Sequence, residues 1–193
     1  MYRIAFAAAV SLAAFASVPA SASFDNTQFD PLTGRVMKAP KFVELEAPGI
    51  PREVIDYHGP YAPGTIVVNT AERRLYYIAE GGIAIRYGIG VARPGFEWAG
   101  THKISQKREW PGWTPPAEMK QRQPGLPDFV PGGIENPLGA RALYLGSSLY
   151  RIHGSNDPES IGQAMSSGCI RMLNEDVEDL YDRVHVGTQV VVL

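Results

Sequence analysis

From Thr65 to the end of the chain, apolar residues come in short runs broken by turn-forming residues, the spacing of β-structure rather than of long helices. Thr65-Ile-Val-Val-Asn69 and Arg74-Leu-Tyr-Tyr-Ile78 read as strands, and Gly81-Gly82 as a hairpin turn leading into a strand over 83–91. Residues 101–107 predict a further strand, and 141–145 and 149–153 a second hairpin across Gly146-Ser-Ser148. Residues 188–193 close the pattern as a final strand. Gly88 and Gly90 mark a bulge or a close backbone approach and do not complete a dinucleotide fingerprint. Helical spacing appears twice. Asp157-Pro158-Glu159 reads as N-cap, N1 proline and acidic first turn, with Ile161, Ala164 and Met165 as an apolar stripe. Asn174-Glu175-Asp176 predicts the cap of a second helix, in which Val177, Leu180, Tyr181 and Val184 recur at helical spacing before Gly187 stops it. The expected fold is mostly β, sandwich-like, with mixed sheets and two short helices flanking the loop over 166–172.

The first residues follow a different pattern. Arg3 precedes a largely apolar, Ala-rich stretch over 4–18, and Pro19-Ala20-Ser21-Ala22 gives the small-x-small signature of an export leader cut after Ala22. The stretch is short for a permanent membrane anchor, and no cysteine follows it to carry a lipid. The expected organisation is therefore a signal peptide over 1–22, an arm or linker over 23–60 with few periodic apolar positions, and one domain over 61–193. The expected location is extracytoplasmic, without a transmembrane anchor after cleavage. Of 18 basic and 20 acidic residues only Arg3 falls in the leader. The mildly acidic remainder gives no footprint for nucleic acid or an anionic membrane.

Candidate chemistry centres on the only cysteine, Cys169, in Ser166-Ser167-Gly168-Cys169-Ile170-Arg171-Met172, and on His153 at the end of a predicted strand. A single thiol in an exported chain cannot form an internal disulfide and is exposed to oxidation, so it points to chemistry rather than packing. The competing reading is a buried core cysteine beside an unrelated histidine. A neighbouring imidazole lowers a thiol's pKa and relays its proton, and the amides of residues 167 to 169, with Gly168 allowing a tight turn, can face a developing oxyanion. His185, equally far downstream, is the alternative base, at a helix end where an imidazolium is favoured. Arg171 suits a substrate carboxylate, or else an ion pair with Glu175-Asp176. Between Trp110 and Pro137 lie seven prolines, a length of loop expected of a lid over a ligand or of a surface excursion that packs Trp110 and Trp113 for stability. His58 and His102 lack metal-ligand spacing, and neither a Ser-x-x-Lys nor a Gly-x-Ser-x-Gly motif is present.

His153-Gly154 followed by Ser166-Ser167-Gly168-Cys169-Ile170-Arg171-Met172 resembles the signature of the L,D-transpeptidase (YkuD-type) catalytic domain. The resemblance extends over about residues 64–193 and includes Gly100-Thr101, Trp110-Pro-Gly-Trp-Thr-Pro-Pro116 and Asn136-Pro-Leu-Gly139. One departure is Ser167, where many members carry histidine. The resemblance implies a periplasmic enzyme acting on peptidoglycan stem peptides and acylated by carbapenems. Cys169 would attack the meso-diaminopimelate–D-Ala bond of a tetrapeptide stem. The resulting thioester would pass to an amine, of another diaminopimelate or of an outer-membrane lipoprotein lysine. His153 would move the proton and the Gly154 carbonyl would orient it, with Ser167 and Gly168 at the oxyanion. Arg171, Trp110 and Trp113 would hold substrate, and no metal or organic cofactor would be needed. Resolution by water (an L,D-carboxypeptidase) and a non-catalytic wall-binding module remain open. An unrelated secreted thiol peptidase is disfavoured by the order His then Cys.

Overall fold

The computed structural model describes residues 50–193, together with two short strands, β1 (Gln28–Phe29) and β2 (Val36–Met37), that pair antiparallel with each other. The leader over 1–22 and most of the arm lie outside the described residues. Eleven further strands follow: β3 (Glu53–Asp56), β4 (Ile66–Asn69), β5 (Arg74–Ile78), β6 (Ile83–Gly88), β7 (Val91–Ala92), β8 (Gly100–Glu109), β9 (Arg141–Leu145), β10 (Arg151–His153), β11 (Ala164–Ser166), β12 (Ile170–Arg171) and β13 (Gln189–Val192). Two helices, α1 (Ala117–Arg122) and α2 (Asn174–Arg183), complete the set. Among the described residues no helix is long and apolar enough to cross a membrane.

The fold is mostly β, as the short apolar runs predict. Nine strands form one curled mixed sheet in the order β12-β10-β9-β8-β13-β4-β5-β6-β3. Its pairs are antiparallel except β13 on β4 and β12 on β10. Gly81 and Gly82, with φ of 78° and 74°, supply the left-handed turn that joins β5 to β6 in register. Residues 53–56, inside the segment expected to be an arm, add β3 to the edge of that sheet. The main core fills one face, with Ile66, Val68, Leu75, Tyr87, Leu143, Leu145 and Ile152 sealed by Val177 and Leu180 of α2. Val67, Ile78 and Ala84 form a smaller cluster with Tyr57 and Tyr76 packed against it. Adjacent residues of β4 thus point to opposite faces and both faces are covered, which is why this strand is apolar without interruption.

Two helical expectations need correction. Residues 157–165 do not form a helix: a 3₁₀ turn covers Pro158–Ser160, and Gly162, at φ +83°, ends it. The chain then extends as β11 beside β7, so Ile161 is buried while Met165 is 56% exposed. Asn174 does not cap α2 either; Leu173 stands at that position, and the Asn174 side chain is used elsewhere. The other end of α2 is closed by Lys107, whose Nζ donates to the carbonyls of Tyr181 and Val184 at 2.6 Å each and lies 3.9 Å from the Tyr181 ring. A cation on the last carbonyls satisfies groups that no helical N–H can reach. The proline-rich segment contains a helix that the pattern did not predict, α1, which buries none of its residues.

Under α2 lies a buried carboxyl, Asp176, 3% exposed, whose pKa is pushed up to about 6 by burial, with Glu175 and Asp179 adding repulsion and Arg52 (3.9 Å) opposing them. Because folding raises this pKa, the native state keeps a proton that the unfolded chain releases, and stability falls as pH rises from about 4 to about 6. Asp176→Asn removes that term. Its unfolding free energy relative to the parent should grow by about 1–3 kcal/mol across this window and then level off. Urea melts at pH 4, 5, 6 and 7 test it; a difference that stays flat across the series would show that Asp176 ionises freely in the fold.

Candidate active site

The parallel pairing of β10 with β12 brings the histidine and the cysteine together. Its register sets Ile152 beside Ile170 and His153 beside Arg171, so Cys169, one residue before β12, falls level with Arg151. Met172 donates to the His153 carbonyl at 2.8 Å and Gly154 to that of Arg141 at 3.0 Å, which fixes the backbone on both sides of the imidazole. His153 Nδ1 lies 2.6 Å from the Gly154 carbonyl oxygen. A carbonyl can only accept, so Nδ1 carries the proton and Nε2 keeps its lone pair. Gly154 is required for this arrangement: a Cβ there, or on Gly139, would overlap Asn174 Oδ1. That oxygen accepts from the amides of Ala140 (2.9 Å) and Ser155 (3.2 Å).

The loop before Cys169 is held by a hydroxyl. Ser166 Oγ donates to the Cys169 carbonyl at 2.5 Å and accepts from the Gly168 amide at 3.2 Å. Gly168 has φ +112°, a conformation that side chains resist. The half-buried thiol faces the Leu149 carbonyl at 3.9 Å.

His153, Cys169, Ser167, Arg171 and Trp113 line one cleft of about 440 Å³, together with Arg122 and Arg151. Among the described residues none of these three arginines takes part in an ion pair, and Asp176 faces Arg52 rather than Arg171. With three guanidinium groups outside ion pairs against one carboxylate, Glu118, the cleft is a basic site suited to anionic ligands. Burial raises the thiol pKa of Cys169, against the pull of Arg151 and Arg171. Burial also drops His153 to about 4, with the Gly154 carbonyl opposing and both arginines adding to the fall. The resting pair is therefore a neutral thiol beside a neutral imidazole, and the imidazole is free to accept a proton.

Other expected residues fall elsewhere. Trp110 is 41% exposed, sits at φ 40° with its amide on the Ala140 carbonyl, and is not part of the cleft lining. Trp113 forms a bridge with Val130 and does line it. The Gly168 amide, expected at the oxyanion, is engaged by Ser166. His185 lies beyond the end of α2 against Thr188, outside the cleft, and His102 stands edge-on to Trp98 at 5.1 Å. Sequence reasoning missed Arg151, although period-2 alternation sets it on the same strand face as His153. It also missed Arg122, whose Nη2 lies 3.5 Å from Ser167 Oγ, and Trp98, whose partners are remote in sequence and leave no local signal.

Comparison with known proteins gives a consistent result. Residues 63–192 match the family model of the L,D-transpeptidase catalytic domain (YkuD). The Probable L,D-transpeptidase ErfK/SrfK of Escherichia coli K12 is 42% identical over 137 residues, covering 66% of this chain and 43% of that protein. The chain thus spans less than half the length of that relative. A solved Brucella melitensis protein, described as a probable carnitine operon oxidoreductase, is 44% identical, covers 81% of this chain and 96% of its own, and superposes with a TM-score of 0.50. The catalytic domain of an E. faecium L,D-transpeptidase acylated by ertapenem shares the fold at 22% identity, with a TM-score of 0.53 over 70% of this chain and 100% of that one.

The low imidazole pKa has a kinetic signature. A base must be unprotonated to act, so if His153 serves Cys169 as its base, acylation of the thiol should persist from pH 7 to pH 5 and fall as pH drops through about 4, rather than through the 6.5 of a solvated histidine. Initial rates of thiol acylation across pH 3.5–8 measure this. An acid limb centred above pH 6 would show that His153 is solvated when it acts.

Proposed function

We infer the reaction of this chain from the family to which it belongs, that of the L,D-transpeptidase catalytic domains, taken together with the thiol, the imidazole and the arginines of its cleft. The chain is a peptidoglycan L,D-transpeptidase in which Cys169 is the nucleophile. The observation that carries this reading is the shared cleft of Cys169 and His153, with Nδ1 of the histidine committed to the Gly154 carbonyl.

The acyl donor is a stem tetrapeptide. The Cys169 sulfur bonds to the diaminopimelate carbonyl carbon while its proton passes to His153 Nε2. The C–N bond to D-Ala then breaks, and His153 returns that proton to the leaving amine. An imidazolium held near pKa 4 is a strong acid and gives up its proton readily to an alkyl amine. The product is a thioester on Cys169. An amine, of a second diaminopimelate or of a lipoprotein lysine, attacks the thioester and frees the thiol. The Ser167 and Cys169 amides take the oxyanion, since the Gly168 amide is engaged. Stem peptides carry several carboxylates, and Arg171 with Arg151 and Arg122 supplies the complementary charge. The leader over 1–22 supports a periplasmic location, the compartment of that substrate, with the arm over 23–60 leading into the catalytic domain over 61–193.

Incubating the purified chain with disaccharide-tetrapeptide and reading the products by mass spectrometry tests this. Cross-linked dimer with loss of D-Ala is the expected outcome; tripeptide alone would identify a carboxypeptidase, and unchanged substrate a wall-binding module. Cys169→Ala should abolish turnover, and His153→Ala should lower it by about 10²-fold or more. His185→Ala should leave it within a few-fold. The opposite ranking of the two histidines would move the base to the other side of the cysteine.

A further inference from the structure

Two cavities flank the loop that carries Cys169. Ser167 and Cys169 line the cleft already described, whereas Gly168 between them lines a second cavity of about 280 Å³ shared with Trp98. The chain changes sides at each residue of this turn. Gly168 permits it: its φ is +112°, and a Cβ there would sit 2.5 Å from Tyr150 Cε1.

On the side of the second cavity the indole N–H of Trp98 donates to the Gly168 carbonyl at 2.6 Å. The indole is itself fixed. It lies flat on Tyr150, with ring centroids 4.2 Å apart and planes within 3°, and edge-on against His102. The Ser166 hydroxyl holds the Gly168 amide and the Cys169 carbonyl but leaves the peptide between them, Gly168 C=O with Cys169 N–H, to another partner. In a trans peptide the carbonyl and the following N–H point in opposite directions, and no described peptide bond is cis. Anchoring the Gly168 carbonyl toward Trp98 therefore turns the Cys169 N–H away from the second cavity and toward the cleft.

We propose that Trp98 is a positioning residue for this site: its indole N–H, by holding the Gly168 carbonyl, orients the Cys169 amide toward the oxyanion that forms when the thiol attacks a carbonyl. The proposal rests on Cys169 being the nucleophile. Trp98 does not line the cleft that holds the thiol; it acts through one peptide plane.

Trp98→Phe keeps an aromatic ring on Tyr150 and removes the N–H. Two reagents then separate orientation from access. Ertapenem acylates the thiol: sulfur bonds to the lactam carbonyl carbon, the ring C–N bond breaks, and the thiol proton ends on the lactam nitrogen, all by way of an oxyanion. Iodoacetamide alkylates the same sulfur by displacing iodide, with loss of the thiol proton to solvent and no oxyanion. Intact-mass time courses of the purified chain should show the limiting acylation rate of Trp98→Phe down by at least about tenfold, with the half-saturating ertapenem concentration and the alkylation rate within about threefold of the parent. Equal losses with both reagents, or a loss with neither, would overturn the proposal. If the parent chain is not acylated at Cys169, the catalytic reading itself fails and this inference falls with it. Should Trp98→Phe lose its cooperative melt, Tyr150→Leu, which removes the support beneath the indole and keeps its N–H, is expected to give the same split between reagents, and uniform behaviour there would overturn it too.

Discussion

One side-chain oxygen, Asn174 Oδ1, ties the active region together. It receives the amides of Ala140 and Ser155, and the two glycines that pack against it, Gly139 and Gly154, have no room for a side chain. Through these contacts the first residue of α2 fixes the entry to β9 and the exit from β10. The carbonyl that orients His153 belongs to Gly154, so the direction of the imidazole depends on this junction as much as on its own strand. Two accepted hydrogen bonds within a crowded, glycine-lined pocket hold the geometry in a way that neither a helix cap nor an apolar contact would.

The electrostatics of the cleft follow from the same packing. Removing water from His153 and Cys169 disfavours both ions, and the nearby arginines act on the two in opposite senses: they ease the thiolate and penalise the imidazolium. The pair therefore rests without charge, and in the reaction proposed above it becomes charged only as the sulfur bonds to a carbonyl. A poised ion pair would react with any oxidant that reached it, whereas a neutral thiol is a poor nucleophile until its proton is taken.

Much of this was legible in the sequence, for identifiable reasons. Strand positions follow from short apolar runs between turn residues because both sheet faces are filled, and Cys169 and His153 stand out because a lone thiol with a strand-end imidazole has few structural uses. The region between them was misread where local and global demands conflict. Asp157-Pro158-Glu159 is a good helix start, but Gly162 ends it after one turn and β7 offers a strand partner. Asn174 carries the side chain of a cap and spends it on residues 34 and 19 positions away. Trp98 and Tyr150 meet the loop before Cys169 only after the sheet has curled, so no window of sequence contains the pattern.

The placement of β13 bears on how the molecule is made. This strand, Gln189–Val192, is not an edge: it lies between β8 and β4 and joins the two halves of the nine-stranded sheet. Until it is available, β4 and β8 each present an unpaired hydrogen-bonding row, and the two halves have no common seam. Closure of the sheet thus waits on pairings distant in sequence, which is the topology of a slow folder. Before that seam forms, the open edges of β4 and β8 are surfaces that a holdase can bind, and a single strand decides when both are covered.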